Sequence, residues 1–168
     1  MTEVRFEVSD PGVPPASLLL AEMTVELNEA YGTFDRLDNP RLSPTELVGP
    51  GGAYLVGYRG DDAVAGGGVR RLSDGVGEIK RMFVRPAARS QGVAAQLLAA
   101  LEAAAVTLGY RSVRLDTGPR QIHALALYRA SGYVETAPYN TNPFACYWAE
   151  KDVTRSAPPA ARHQVQGP

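Results

Sequence analysis

Phe83-Val84-Arg85-Pro86-Ala87-Ala88-Arg89-Ser90-Gln91-Gly92-Val93-Ala94 reads as a strand stopped by a proline, a turn of small and polar residues, and the start of an alanine-rich helix. A helix start presents backbone N–H groups that have no intrahelical partner, and the helix dipole adds partial positive charge there. A glycine at that point lets a phosphate approach the backbone closely. The stretch is therefore expected to form a pyrophosphate cradle at a strand-to-helix junction. It is neither the G-x-x-x-x-G-K-[ST] loop of nucleotide triphosphatases nor the G-x-G-x-x-G turn of dinucleotide folds.

Working outward, the flanking sequence alternates strand and helix patterns. Residues 4–8 alternate apolar and polar side chains, as a half-buried strand does. Pro14 and Pro15 introduce a helix over 16–30. A short helix is expected near Ser43-Pro44-Thr45-Glu46-Leu47. Residues 53–59 and 63–72 read as antiparallel strands joined at Gly60-Asp61-Asp62. A strand over 78–85 leads into a helix over 91–108, whose Val93, Leu97, Leu98, Leu101 and Leu108 mark one buried face. Then come a strand over 111–117 with Val113 and Leu115 on one face, a helix from Pro119 to Ala130 closed near Gly132, and strands over 133–135 and 144–150. Residues 1–151 are expected to form one domain. From residue 152 to 168 the chain turns polar and proline-rich and is expected to be disordered.

Composition excludes several classes. A chain of 168 residues is long enough for one substantial core. Its formal net charge of −1 gives no general attraction to nucleic acid or anionic membrane. No apolar stretch suits a bilayer span or a signal peptide, so a cytoplasmic protein is expected. The single cysteine, Cys146, allows no internal disulfide, and the two histidines form no metal-ligand cluster. Cys146 reads as a small buried strand residue without a nucleophilic role, and His123 as a helix-surface residue.

Two motifs carry a family resemblance. Arg89-x-x-Gly92-x-Ala94 is similar to the [QR]-x-x-G-x-[GA] signature of the GNAT superfamily of acyl-CoA-dependent N-acetyltransferases. Gln121-x-x-Ala124-x-x-Leu127-Tyr128-x-x-x-Gly132-Tyr133 resembles that family's second signature, N-x-x-A-x-x-L-Y-x-x-x-G-[FY]. They occur in the family's order, separated by one helix and one strand. The resemblance implies an α/β (α+β) GNAT fold: a bent, mostly antiparallel mixed sheet flanked by helices, with the fourth and fifth strands parallel and splayed. Acetyl-CoA would enter that gap as the acetyl donor. The diphosphate would meet the amides of Ser90, Gln91, Gly92, Val93, Ala94 and Ala95, with charge added by Arg89. The Met82 amide would support the acetyl carbonyl, and Val84 would pair with pantetheine. Gln121 departs from the more usual asparagine, and its longer amide would contact the cofactor. Dimers are common in the family; this sequence fixes no interface.

The chemistry of transfer selects two side chains. An alkylamine with a pKa of about 10.4 is mostly protonated at neutral pH, so a carboxylate must take its proton directly or through water. Glu78, four positions before Met82, is the candidate base, and some family members carry a glutamate there. The same residue also reads as a solvated strand-start carboxylate or a partner for Lys80. Strict alternation would put Glu78, Lys80, Met82 and Val84 on one face, unless a bulge intervenes. Tyr128 is the candidate acid that protonates the departing thiolate, with core packing as the alternative.

For the acceptor, Tyr31-Gly32-Thr33-Phe34-Asp35 and Tyr139-Asn140-Thr141-Asn142-Pro143 are the expected walls, suited to a small polar amine. Lys80, Arg81, Arg70 and Arg71 hint at a carboxylate-bearing acceptor such as an amino acid; a solvated basic patch explains the same residues and is the favoured reading, and a protein N-terminus, a lysine side chain, a polyamine or an antibiotic amine stay open as acceptors. A noncatalytic acyl-CoA-binding module is the alternative function.

Overall fold

A computed structural model describes residues 3–32 and 43–156. Seven strands form one sheet in the order β1-β2-β3-β4-β5-β7-β6. The strands are β1 (Arg5–Val8), β2 (Ala53–Arg59), β3 (Asp62–Ser73), β4 (Val76–Val84), β5 (Ser112–Thr117), β6 (Val134–Glu135) and β7 (Tyr147–Asp152). The helices are α1 (Ala16–Tyr31), α2 (Val93–Thr107) and α3 (Ile122–Ala130). Every strand pair is antiparallel except β4 with β5. That is the architecture expected from the sequence.

Apolar side chains cover both sheet faces. Leu19, Met23 and Leu27 of α1 pack with Tyr54, Val56 and Phe83 on one face. Leu97, Leu98 and Leu101 of α2 pack with Val69, Ile79, Val113 and Leu115 on the other. Three successive glycines of β3 let large side chains reach the sheet from alternate sides. A Cβ at Gly66 would collide with the Tyr54 ring, one at Gly67 with Leu101, and one at Gly68 with Leu47. Leu101 is fully buried, with its side chain against Gly67 in the core on the α2 side. Leu101→Ala is therefore expected to cost about 2–5 kcal/mol, read as a lower urea midpoint at an unchanged slope.

Several boundaries move for identifiable reasons. Helix α2 begins at Val93 rather than residue 91, because Ser90 (φ 59°) and Gly92 (φ 76°) are left-handed. Strand β7 begins at Tyr147 rather than residue 144, because Asn142 and Phe144 belong to a turn held by a bond from the Phe144 N–H to Asn142 Oδ1 (3.1 Å). Beyond Lys151 the packed structure continues: Asp152 pairs with Ser112, and Val153 is buried with its N–H on the Arg111 carbonyl. Residues 157–168 of the expected tail lie outside the described residues. Cys146 is exposed rather than buried: it precedes β7 and donates its N–H to the Thr117 carbonyl. His123 is exposed on α3, as its sequence position predicts.

Candidate active site

The site begins where two parallel strands part. Strands β4 and β5 pair at Val76 with Ser112, Gly77 with Val113 and Glu78 with Arg114, and no further. Beyond Glu78, β4 continues to Val84 while β5 stays with β7, which opens a cleft between them. Its walls include Lys80, Met82, Asp116, Gln121 and Tyr128, with Tyr31 and Phe144 from the α1 side, around a volume of about 110 Å³.

A bulge in β4 sets what faces the cleft. On β3, Gly66 pairs with Phe83 and Gly68 with Lys80, so β4 carries an extra residue there, and Arg81 adopts φ 59°. The bulge inverts the alternation. Glu78 and Lys80 share the α1 face with Phe83, whereas Met82 and Val84 join Ile79 in packing against the α2 core. Glu78, Lys80, Met82 and Val84 therefore do not share one face.

Past the bulge, the end of β4 has one main-chain edge on β3 and one turned away from it. Arg85 donates its N–H to Val64 of β3 (2.9 Å), so one residue earlier the main-chain groups of Val84 point to the opposite edge. Arg89 Nε donates to the Val84 carbonyl there (2.8 Å). The guanidinium of Arg89 also pairs with Glu26 of α1 (2.5 Å) and stacks over Phe83. Two of its donors are thus engaged on β4 and α1, and the half-exposed guanidinium keeps others beside the loop. Gly92 caps α2 with a left-handed backbone, and among the described residues no side-chain cap meets the first-turn amides, which leaves them as donors.

Tyr128 and Gln121 reach the cleft from α3 and the turn before it. The Tyr128 hydroxyl lies 3.9 Å from Met82 Sδ, and its ring meets Tyr133 at 5.8 Å. Burial, reinforced by Asp116, pushes its phenol above the ordinary value near 10. Gln121 accepts the Thr117 hydroxyl at Oε1 (2.7 Å), which orients its NH₂ as the remaining donor.

Glu78 sits behind the cleft wall. Its side chain is fully buried, with Oε2 on Arg70 Nε (2.8 Å) and Oε1 accepting from Lys80 Nζ (3.1 Å) and the Tyr139 hydroxyl (3.0 Å). It does not line the cleft, whereas Asp116 does. The sequence does not single out Asp116, which reads as an ordinary strand-end acid. Alternation from Leu115 could have put it on the Lys80 face; only the docking of residues 139–142 makes it part of a site. Asn140 Nδ2 and Asn142 Nδ2 donate to its Oδ2 (2.5 and 3.4 Å), and Lys80 Nζ spans both oxygens (2.9 and 3.1 Å).

The expected acceptor walls are met in part. Tyr31 lines the cleft, its hydroxyl accepts the Arg120 N–H (3.1 Å), and its ring meets Phe144 edge-on at 5.7 Å. Gly118 admits them, because a Cβ there would strike the Tyr31 hydroxyl and the Phe144 carbonyl. Thr33, Phe34 and Asp35 lie outside the described residues. Arg70 is held by Glu78 and Glu46, and Arg71 by Asp74.

A sheet forked between parallel strands, with a glycine-capped helix start following the β4 arm and a buried tyrosine lining the fork, is the architecture of an acyl-CoA-dependent transferase. Residues 20–133 match the model of the acetyltransferase (GNAT) family, and the chain belongs to that family. It is 31% identical over 127 residues to a protein named IAA acetyltransferase from Azospirillum brasilense, a match covering 74% of this chain and 83% of that one. Among solved structures, it resembles a GNAT-family acetyltransferase from Staphylococcus aureus (TM-score 0.74, 17% identity, 90% of this chain and 99% of that chain). A GNAT-family acetyltransferase from Elizabethkingia anophelis, solved with acetyl-CoA bound, superposes with a TM-score of 0.62 at 19% identity, over 90% of this chain and 99% of that one.

Proposed function

We propose that this acetyltransferase moves the acetyl group of acetyl-CoA to the primary amine of a small polar acceptor, directly, in a ternary complex. The observation that carries the reading is the fork itself. One continuous cleft runs past the outer edge of β4 to Tyr128 and ends among polar side chains beside Tyr31 and Phe144. Donor and acceptor can therefore meet without a covalent relay on the protein.

In this reading the amides of Ser90, Gln91, Gly92, Val93, Ala94 and Ala95 hold the diphosphate. Val84 and Gln121 hold the pantetheine arm, and Arg89 braces the β4 edge. The Met82 N–H stabilises the oxyanion that forms when the amine attacks the thioester carbon. Tyr128 gives its proton to the sulfur as the C–S bond breaks. Glu78, being walled off from the cleft, acts on proton removal through Lys80 and Tyr139 rather than by touching the amine. No helix among the described residues is long and apolar enough to cross a membrane, and we place the reaction in the cytoplasm.

Calorimetric titration with acetyl-CoA tests the reading, with dephospho-CoA and adenosine as controls. Saturable one-to-one binding that survives loss of the 3′-phosphate but is absent with adenosine supports the cradle and the arm-binding edge. A folded protein that binds no acetyl-CoA at millimolar concentration overturns it.

A further inference from the structure

We infer that Asp116 is the carboxylate that receives the acceptor's ammonium and takes its proton, and that the acceptor is a cationic primary amine with no carboxylate beside it. The inference rests on the acetyl-transfer reading above and adds the acceptor subsite to it.

Asp116 lines the cleft with its side chain 6% exposed, whereas Glu78 is sealed at 0% behind it. A base must reach the proton directly or through one water, so of these two carboxylates Asp116 is the one in range. Its partners leave it room to act. Oδ2 accepts from Asn140, Asn142 and Lys80, while Oδ1 accepts among the described residues from Lys80 alone. A carboxylate oxygen has two acceptor sites, so Oδ1 keeps one for an incoming N–H. The carboxylate is also held in place. The Asn140 carbonyl oxygen takes Trp148 Nε1 (2.8 Å) and the Asn142 N–H (3.2 Å), which fixes the amide that grips Oδ2.

Charge selects the acceptor. Among the described residues, the ion pairs joined to Asp116 set Glu46, Glu78 and Asp116 against Arg70 and Lys80, which leaves one negative charge over. An ammonium entering at Oδ1 completes that balance, and Lys80 retains Glu78 when it arrives. A carboxylate on the acceptor would find the basic groups beside Asp116 engaged. Arg70, Arg71 and Lys80 each already hold an acid, and Arg81, also in the cleft wall, has an interaction of its own.

The step balances as follows. Asp116 takes one proton from the ammonium and passes it to solvent. The freed amine forms the N–C bond to the acetyl carbon. The C–S bond breaks, the sulfur takes the Tyr128 proton, and the proton lost by the new amide nitrogen restores Tyr128.

The test uses the full chain with tyramine and tyrosine, two amines that differ by the carboxylate. Wild-type protein is expected to acetylate tyramine at least about tenfold more efficiently, as kcat/KM, than tyrosine. Asp116→Asn keeps the shape, and it should bind acetyl-CoA as wild type does while losing about 10²-fold in transfer to tyramine. Glu78→Gln should lose less. Equal or better use of tyrosine, transfer to neither amine despite acetyl-CoA binding, or an Asp116→Asn rate near wild type would each overturn the assignment. Should Asp116→Asn fail to fold, the tyramine-to-tyrosine ratio of the wild type decides alone. Failure of wild-type protein to bind acetyl-CoA would instead remove the functional reading beneath it.

Discussion

Replacing Tyr128 by Phe is expected to lower the transfer rate about 10²–10³-fold while acetyl-CoA affinity stays within about twofold. The ring is buried in the α2-side core and keeps its packing in the variant. Among the described residues its hydroxyl meets only Met82 Sδ, at 3.9 Å, so little stability is lost with it. What disappears is a proton donor next to the fork. Burial, with Asp116 nearby, holds the phenol above its ordinary range, so it remains protonated across the neutral range and can serve each turnover. The sign of that shift has a consequence for pH: loss of activity by ionisation of Tyr128 should begin only above about pH 10. Initial rates and calorimetric affinity, measured on the same preparation, separate the rate effect from binding. An unchanged rate would leave Tyr128 as a packing residue only.

Gly92→Glu should abolish measurable acetyl-CoA binding and, with it, transfer. Two effects act together. The backbone at Gly92 has φ 76°, where a side chain costs about 1–2 kcal/mol. A carboxylate would also face the diphosphate. At about 5 Å and an effective dielectric of about 20, each unit pair of like charges costs about 3 kcal/mol, or roughly 10²-fold in affinity. A glutamate at a helix start is otherwise favourable to the helix dipole, which offsets part of the backbone strain and helps the variant stay folded. Gly92→Ala carries the strain without the charge. It should weaken binding far less, so the pair of variants resolves the two causes. Tight binding by Gly92→Glu would mean that the diphosphate lies elsewhere.

The element order was legible because it rests on local signals. Alternation marked the strands around the fork, and the spacing of Leu97, Leu98 and Leu101 marked the buried face of α2. Pro86 and Gly92 bracketed the turn between β4 and α2. The parallel pairing of β4 with β5 followed from the family resemblance of two motifs. Local reading failed where a single residue changed the phase. Arg81 takes a left-handed backbone within a strand-like run, and nothing in its neighbours Lys80 and Met82 announces it. It was also silent on the surroundings of Glu78, the candidate base, which is enclosed by Arg70, Lys80 and Tyr139, two of them far away in sequence or on another strand.

The sequence by itself determined the order of strands and helices, the bare amides at the start of α2, and the place of Tyr128 on the helix after β5. Each depends on residues within one or two turns of one another, where periodicity and backbone preference act directly. Tertiary structure alone decided which carboxylate faces the cleft. Asp116 became part of a site when Asn140 and Asn142 docked on it and Lys80 crossed from β4, contacts spanning 24 to 36 residues of chain. Hydrogen bonds over such separations depend on how whole elements pack, and no local pattern of residues encodes them.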